Sequence, residues 1–103
     1  MLELKKIKDD YEKSLTITLK WRLDTTTSPL LERQLKASLN DIFVLILDFT
    51  NLEYISSAGL RVVLAAQKVM NTQGEMIVKN VSSEIMDIFE VTSFLDILTI
   101  QND

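Results

Sequence analysis

The stretch Ile42-Phe43-Val44-Leu45-Ile46-Leu47 is followed, after a short polar interval, by Ile55-Ser56-Ser57-Ala58-Gly59-Leu60. The first stretch is an unbroken apolar run, which is typical of a strand buried on both faces. From Leu60 to Met70 the chain is mostly aliphatic and contains neither Gly nor Pro, which predicts a helix. The two serines are therefore predicted to lie where a buried strand ends and a helix begins. A helix start carries unpaired backbone N–H groups and the positive end of the helix dipole, so it accommodates a hydroxyl or a phosphate.

Strands and helices are predicted to alternate on either side of this junction. Alternating apolar residues predict a strand at Ser14–Lys20, which would pair as a hairpin with an edge strand at Leu2–Ile7 through a charged turn at 8–10. Ser28 followed by Pro29 predicts a helix N-cap and the first helical residue. The remaining predicted elements are a strand at Met76–Val78, a helix that starts near Val81 and Ser82, and a strand at Ile97–Ile100. The order β-β-α-β-α-β-α-β predicts a mostly parallel α/β sheet, either doubly wound or with helices on one face.

Composition narrows the possible functions. The 103 residues include 47% hydrophobic residues, enough for one compact domain spanning residues 1–103. The net charge of −4 argues against a nucleic-acid partner. No apolar run is long enough to cross a membrane, and we expect a cytoplasmic protein. The chain has no His and no Cys, which excludes Ser-His-Asp catalysis, thiol chemistry and His or Cys metal sites within it. We therefore expect no catalytic residues, no metal and no cofactor.

Three motifs give the chain a family resemblance. They are the run from Leu47-Asp48-Phe49 to Tyr54-Ile55-Ser56-Ser57-Ala58-Gly59-Leu60, the earlier segment Arg22–Pro29, and the later segment Phe89–Phe94. In this order and spacing they resemble the STAS domains of bacterial anti-sigma factor antagonists, also called anti-anti-sigma factors. The resemblance covers essentially the whole chain. It implies a SpoIIAA-like mixed β-sheet of four to five strands, with about three helices packed mainly on one face.

The resemblance also implies a partner-switching function in transcription regulation. In this family the unphosphorylated antagonist binds a cytoplasmic anti-sigma factor, a histidine-kinase-like ATPase that is also a serine kinase, and the sigma factor is released. The kinase phosphorylates a serine at the helix start, which ends binding, and a PPM-type serine phosphatase resets the protein. Anchored on Gly59-Leu60, the phosphorylated residue falls on Ser57, with Ser56 as the alternative. The partner-binding residues are expected to be Asp24, Thr25, Ser56, Ser57, Ala58, Gly59 and Arg61.

Other interpretations of the same residues stay open at this point. Either serine could simply cap the helix, which stabilises a protein by about 0.5–2 kcal/mol. Asp24 and Asp48 are expected near strand ends, where open parallel sheets bind ligands, although Asp48 could equally be a turn residue. Single STAS domains also serve as cytoplasmic accessory subunits of membrane transport complexes, which is the alternative function. Nucleotide binding ranks last because the chain has no Gly-rich phosphate loop.

Overall fold

The computed structural model describes residues 1–102, and Asp103, the last residue of the predicted domain, lies outside the described residues. One sheet has the strand order β1-β2-β3-β4-β5, in which β1 and β2 are antiparallel and all other neighbours are parallel. This arrangement confirms the predicted element order and the mixed sheet. The elements are β1 (Leu2–Asp9), β2 (Ser14–Leu23), α1 (Ser28–Ser38), β3 (Val44–Ile55), α2 (Ser57–Gln73), β4 (Glu75–Lys79), α3 (Ser83–Val91), a 3-10 turn (Phe94–Asp96) and β5 (Ile100–Gln101).

One face of the sheet is buried under the helices, as expected. Successive strand residues point to opposite faces, so every second side chain belongs to this face. The helices cover it with apolar residues such as Leu31 of α1, Val63 of α2 and Phe89 of α3, each fully buried. The rings of Phe49 and Phe89 lie 6.4 Å apart between centroids. The strand residues in this core are Leu15, Ile17, Leu19, Leu23, Leu45, Leu47, Phe49, Leu52, Ile55, Met76 and Val78.

None of the helices within residues 1–102 packs on the opposite face of the sheet. Val44 and Ile46, which alternate with buried Leu45 and Leu47, are only half-buried. The prediction that this strand is buried on both faces is therefore wrong. The apolar run is continuous in sequence, but the helices pack against one of its two sides.

The second and third strands continue past the end of β4, and β1 remains paired to β2 as far as Trp21. We call this extension, residues 19–23 of β2 with residues 49–55 of β3, the ribbon. β3 runs to Ile55 rather than ending near Leu47, and β2 runs to Leu23 rather than Lys20. The register shifts twice along this ribbon, since Thr18 pairs with Asp48 whereas Arg22 pairs with Tyr54. β3 thus contains extra residues relative to β2, as in β-bulges, which bend and twist a strand. The ribbon brings the ends of both strands, Leu23 and Ile55, side by side.

Several predicted boundaries move by a few residues. Asp48 lies inside β3 rather than at a strand end, because the ribbon prolongs the strand beyond it. Thr27, not Ser28, is the N-cap residue of α1, because Ser28 already belongs to the helix and its hydroxyl bonds back to the Asp24 carbonyl. The last strand is only Ile100–Gln101, since a 3-10 turn precedes it.

Candidate functional site

The start of α2 distinguishes the two adjacent serines. Ser56 is the N-cap, with extended backbone, and its hydroxyl oxygen accepts a hydrogen bond from the Gly59 N–H at 3.3 Å. Ser57 is the first helical residue, and its side chain is exposed. Within residues 1–102 the Ser57 hydroxyl has no hydrogen-bond partner. One serine therefore has a structural role, whereas the other presents a hydroxyl to solvent at the positive end of a helix.

Gly59 joins the start of α2 to the end of β2. A Cβ atom on Gly59 would lie 2.8 Å from Ile55 Cγ1 and 2.9 Å from the Leu23 carbonyl oxygen. That carbonyl is already fixed, because it accepts a hydrogen bond from the Ser56 N–H at 2.9 Å. Gly59 is buried, so its role is to let the helix backbone approach β2 and β3 closely, and it offers no side chain at the surface. Its lack of a side chain lets the helix start sit directly against the ribbon.

The loop after β2 is organised by the Asp24 carboxylate. Its Oδ1 accepts hydrogen bonds from the Thr26 hydroxyl at 2.9 Å, the Thr26 N–H at 3.0 Å and the Thr27 N–H at 3.1 Å. The Arg22 Nε atom lies 3.6 Å from Asp24 Oδ2. The Thr26 hydroxyl is the largest cause of a pKa lowered to about 2, with the backbone N–H groups adding to it and partial burial opposing it. Asp24 is thus a fixed anion at the edge of the site.

The same loop is tied to the start of α1. Thr27 Oγ1 accepts a hydrogen bond from the Asp24 N–H at 2.8 Å and donates to the Arg22 carbonyl at 2.9 Å. The Ser28 hydroxyl, in a side chain that is only 3% exposed, donates to the Asp24 carbonyl at 2.5 Å. Thr25 remains exposed at the tip of the loop. The loop is therefore held in one conformation while it presents Thr25 outward.

A shallow cleft lies between the starts of α1 and α2, and it brings predicted site residues together. Thr25, Ala58 and Arg61 all line it, and Arg61 is exposed. Its volume is about 310 Å³, and its remaining lining residues are Ser28, Pro29, Glu32 and Val62. Asp48 does not join this cluster. Its Oδ1 accepts hydrogen bonds from the Thr50 N–H at 2.9 Å and the Thr50 hydroxyl at 2.5 Å, so it acts as a local structural residue within β3.

The ribbon beside the site carries aromatic and basic residues that were not predicted as site residues. The Arg22 guanidinium lies over the Tyr54 ring at 4.2 Å from its centroid, a cation–π contact next to Asp24. Trp21 has φ of +84°, a rare conformation for a bulky residue, and the Lys20 ammonium lies 4.7 Å from its ring centroid. The Arg22–Tyr54 pair could be predicted only from the register between β2 and β3. That register depends on extra residues in β3, which no sequence pattern indicates.

Two further properties bear on the chemistry of the site. Among residues 1–102 there is no group of three or more Asp or Glu side chains placed to hold a metal ion. In the same described part of the chain, no helix combines the length and apolar composition needed to span a bilayer.

Comparison with known protein families and sequences gives a consistent result. Residues 2–103 match the family model of the STAS domain. BtrV of Bordetella bronchiseptica, a candidate anti-sigma factor antagonist, is 41% identical over 58 residues, which cover 55% of this chain and half of BtrV. The anti-sigma-B factor antagonist of Listeria monocytogenes is 28% identical over 103 residues, which cover 98% of this chain and 88% of that protein.

Solved structures share the fold at low sequence identity. An anti-sigma factor antagonist from Mycobacterium paratuberculosis superposes with a TM-score of 0.86 at 17% identity, covering 97% of this chain and 85% of that one. The unphosphorylated anti-sigma factor antagonist SpoIIAA gives a TM-score of 0.75 at 16% identity, covering 100% and 89%. Phosphorylated SpoIIAA from Bacillus gives the same TM-score of 0.75. The SpoIIAA-like fold expected from the sequence is confirmed.

Proposed function

The chain belongs to the STAS domain family, and we propose that it is an anti-sigma factor antagonist whose binding is controlled by phosphorylation of Ser57. The unphosphorylated form binds an anti-sigma factor, and the sigma factor is released. Phosphorylation of Ser57 ends that binding. The names of its relatives support the first part of this proposal. The second part is carried by one observation, the exposed and unbonded hydroxyl of Ser57 at the start of α2.

Phosphorylation at this position suits the local electrostatics. A phosphoserine carries about −1.5 to −2 charges and three acceptor oxygens. The first turn of α2 contains no acidic residue, and a helix start stabilises an anion by about 0.3–1 kcal/mol. The helix start therefore accommodates the phosphate without refolding. The effect of the phosphate falls on the interface, where a partner must desolvate or repel a bulky dianion.

The contact surface surrounds Ser57. Asp24 and Thr25 form its rim on one side, and Ser56, Ala58 and Gly59 set the position of the helix start. Arg61, one helical turn beyond Ser57, pairs with the phosphate or with an acidic group of the partner. The rigid Asp24 loop presents these groups in one arrangement, which lowers the entropy lost on binding.

The partner is a cytoplasmic anti-sigma factor of the histidine-kinase-like ATPase type that acts as the serine kinase. A PPM-type serine phosphatase restores the unphosphorylated form. In this scheme the protein is a binding module and a kinase substrate rather than an enzyme, and it needs no cofactor.

Affinity capture from the native cytoplasm tests the proposal with four baits: the wild type, Ser57→Ala, Ser57→Asp and Ser83→Asp. Ser83 is a matched control, since it is also an exposed first helical residue that follows a serine N-cap. We expect a histidine-kinase-like ATPase on every bait except Ser57→Asp, whose affinity should fall by about 100-fold because it buries an unpaired charge at the interface. The captured kinase should phosphorylate the wild type at Ser57, as located by mass spectrometry.

Two results would overturn the proposal. Equal capture of the kinase by the Ser57→Ala and Ser57→Asp baits would exclude the phosphorylation switch. Transport ATPase components retained on all four baits would instead assign the domain to the accessory-subunit function, with Ser57 only part of a helix start.

A further inference from the structure

The face of the sheet on which no described helix packs, which we call the open face, carries three rows of side chains that run across the strands. Residues opposite one another in register share a face of the sheet, so the pairing of β1 to β4 defines these rows. The middle row is Ile7, Thr16, Ile46 and Ile77. The row on its one side is Lys5, Thr18, Asp48 and Lys79, and the row on its other side is Asp9, Ser14, Val44 and Glu75.

Three of the four residues in the middle row are isoleucines, with Thr16 between Ile7 and Ile46, and none of the described helices covers them. Ile7 is 59% exposed, and Ile46 and Ile77 are half-buried between their neighbours. The helices pack against the other face, so the isoleucines of three strands meet solvent in one line. A mainly apolar strip with a polar rim is typical of a protein interaction surface.

The two outer rows carry complementary charge. One contains two lysines and one aspartate, and the other contains two carboxylates and no cation. We propose that the open face binds a second copy of this chain, with a two-fold axis along the middle row, so that the strands of the two copies run in opposite directions. That axis places Lys5 of one copy against Asp9 of the other and Lys79 against Glu75, in symmetric pairs.

The charges select this two-fold axis over the other one available. A two-fold axis parallel to the strands would place Lys5 against Lys79 and Asp9 against Glu75, which are like charges. In the proposed arrangement each isoleucine meets its own counterpart, and Thr18 meets Ser14. Asp48 meets Val44, and its carboxylate keeps the hydrogen bonds from Thr50 within its own chain.

The small size of the face is typical of a weak complex. Strands about 4.8 Å apart with residues about 3.3 Å apart give the four-stranded face an area of roughly 400 Å² per copy. The two copies together bury roughly 800 Å², below the ~1,200–2,000 Å² of stable complexes. We therefore expect a reversible dimer with a dissociation constant on the order of 0.1 mM.

Sedimentation equilibrium of the unphosphorylated chain from about 20 µM to about 1 mM tests this. We expect the mean mass to rise from monomer to dimer across the range, and Ile46→Lys to remain monomeric. Val69→Lys is the matched control, because Val69 is a 42% exposed apolar residue on α2, away from the sheet. A wild type that is monomeric at the highest concentration would overturn the proposal. A dimer lost in Val69→Lys but kept in Ile46→Lys would overturn it equally.

Charge reversal tests the orientation. Glu75→Lys and Lys79→Glu should each weaken the dimer at least tenfold, and the double variant should restore it to within about threefold. The two residues lie roughly 13 Å apart along β4, so they cannot pair within one chain, and recovery must come from the second copy. A double variant as weak as the single ones would exclude the proposed axis. None of these measurements involves Ser57, so the dimer stands or fails independently of the proposed function.

Discussion

The starts of α2 and α3 have the same local design. Each begins with two serines, Ser56-Ser57 and Ser82-Ser83, of which the first is the N-cap. Each N-cap hydroxyl accepts a hydrogen bond from the N–H three residues on, Gly59 or Ile85, at 3.3 Å. In each pair the second serine is exposed as the first helical residue.

The surroundings of the two helix starts differ. α3 has Glu84 in its first turn, whereas α2 has no acidic residue there. The third helical position is Ile85 in α3, a buried core side chain, whereas in α2 it is Gly59, which lets the helix approach the ribbon and the Asp24 loop. A serine pair at a helix start is therefore ordinary capping chemistry. The pair Ser56-Ser57 is a candidate switch because the positive end of its helix has no acidic residue in the first turn and lies beside the ribbon and the Asp24 loop.

The largest effect should follow from filling the space at Gly59. Its Cβ would lie within 3.0 Å of Ile55 and Leu23 atoms, and the Leu23 carbonyl is held by the Ser56 N–H. Overpacking of this kind typically costs 1–3 kcal/mol, and we expect Gly59→Val to lower the free energy of unfolding by about 3 kcal/mol because it adds two further methyl groups. Urea denaturation measures it.

The control for this prediction is Ala58→Val. Ala58 is half-buried and lines the open cleft, so its variant has room and should lose less than about 1 kcal/mol. Equal stability of Gly59→Val and the wild type would show that the helix start can move away from the ribbon. The two regions would then not be rigidly joined.

The next largest effect should come from Asp24, which has no counterpart at α3. Asp24→Ala removes the acceptor that organises the loop and should lower the urea midpoint at pH 6 by more than loss of a single helix cap. The folded-state pKa is lowered to about 2 from 3.8, chiefly by the Thr26 hydroxyl. The ionised carboxylate therefore stabilises the fold above pH 3.8, and this contribution is lost as the pH falls toward 2.

The difference between wild type and Asp24→Ala should accordingly shrink between pH 5 and the lowest pH at which both remain folded. Asp87→Ala, at an exposed position on α3, controls for general effects of removing a surface carboxylate. If the difference in urea midpoint between the wild type and Asp24→Ala stays constant down to the acid transition, the lowered pKa of Asp24 is contradicted.

The position of this site was accessible from the sequence, whereas its surroundings were not. The apolar run at residues 42–47 and the aliphatic run after Gly59 predict a buried strand followed by a helix that starts at the two serines, and the structure has this helix start, although the strand runs on to Ile55. Alternation of apolar residues likewise predicted the hairpin and the parallel strands. These features are local, since they depend on periodicity within single elements.

The unpredicted features depend on contacts between elements. Residues 50–53 contain polar and apolar side chains that do not alternate, yet they form part of β3 because β2 supplies backbone partners along the ribbon. The Arg22–Tyr54 contact depends on the bulges in β3. The N-cap of α1 is Thr27 instead of the predicted Ser28, and this shift depends on the Asp24 loop. The continuous apolar run at residues 42–47 predicts burial on both faces of the sheet, and only the family resemblance predicts that the helices pack mainly on one face.

A smaller effect should test whether the two N-caps are equivalent. Ser56→Ala and Ser82→Ala each remove a hydrogen bond of the same 3.3 Å length. We expect each to lower the free energy of unfolding by about 0.5–1 kcal/mol, the lower part of the range for N-cap removal. Measured side by side in urea, a cost at Ser82 and none at Ser56 would mean that Ser56 is not the structural serine of its pair. The assignment of Ser57 as the phosphorylated residue would then lose its basis.

The smallest effect should separate the two helix starts by charge alone. Ser57→Asp places an anion at a helix end that has none, and we expect a gain of about 0.3–1 kcal/mol in the free energy of unfolding. Ser83→Asp adds a second negative charge beside Glu84, so its gain should be smaller, because like charges in one helical turn repel each other. Urea denaturation in low salt measures the free energy of unfolding of both variants. The difference between them should become small near 1 M salt, where the Debye length falls to about 3 Å.

The sign of the Ser57→Asp result decides how a phosphate at this position would act. A more stable variant that fails to bind the kinase would locate inhibition at the interface, because the fold accepts the charge. A variant destabilised by 1 kcal/mol or more would contradict that mechanism, since the charge would then disturb the helix start itself. Ser57→Ala completes the comparison, because an exposed and unbonded hydroxyl should be removable with a change below about 0.5 kcal/mol.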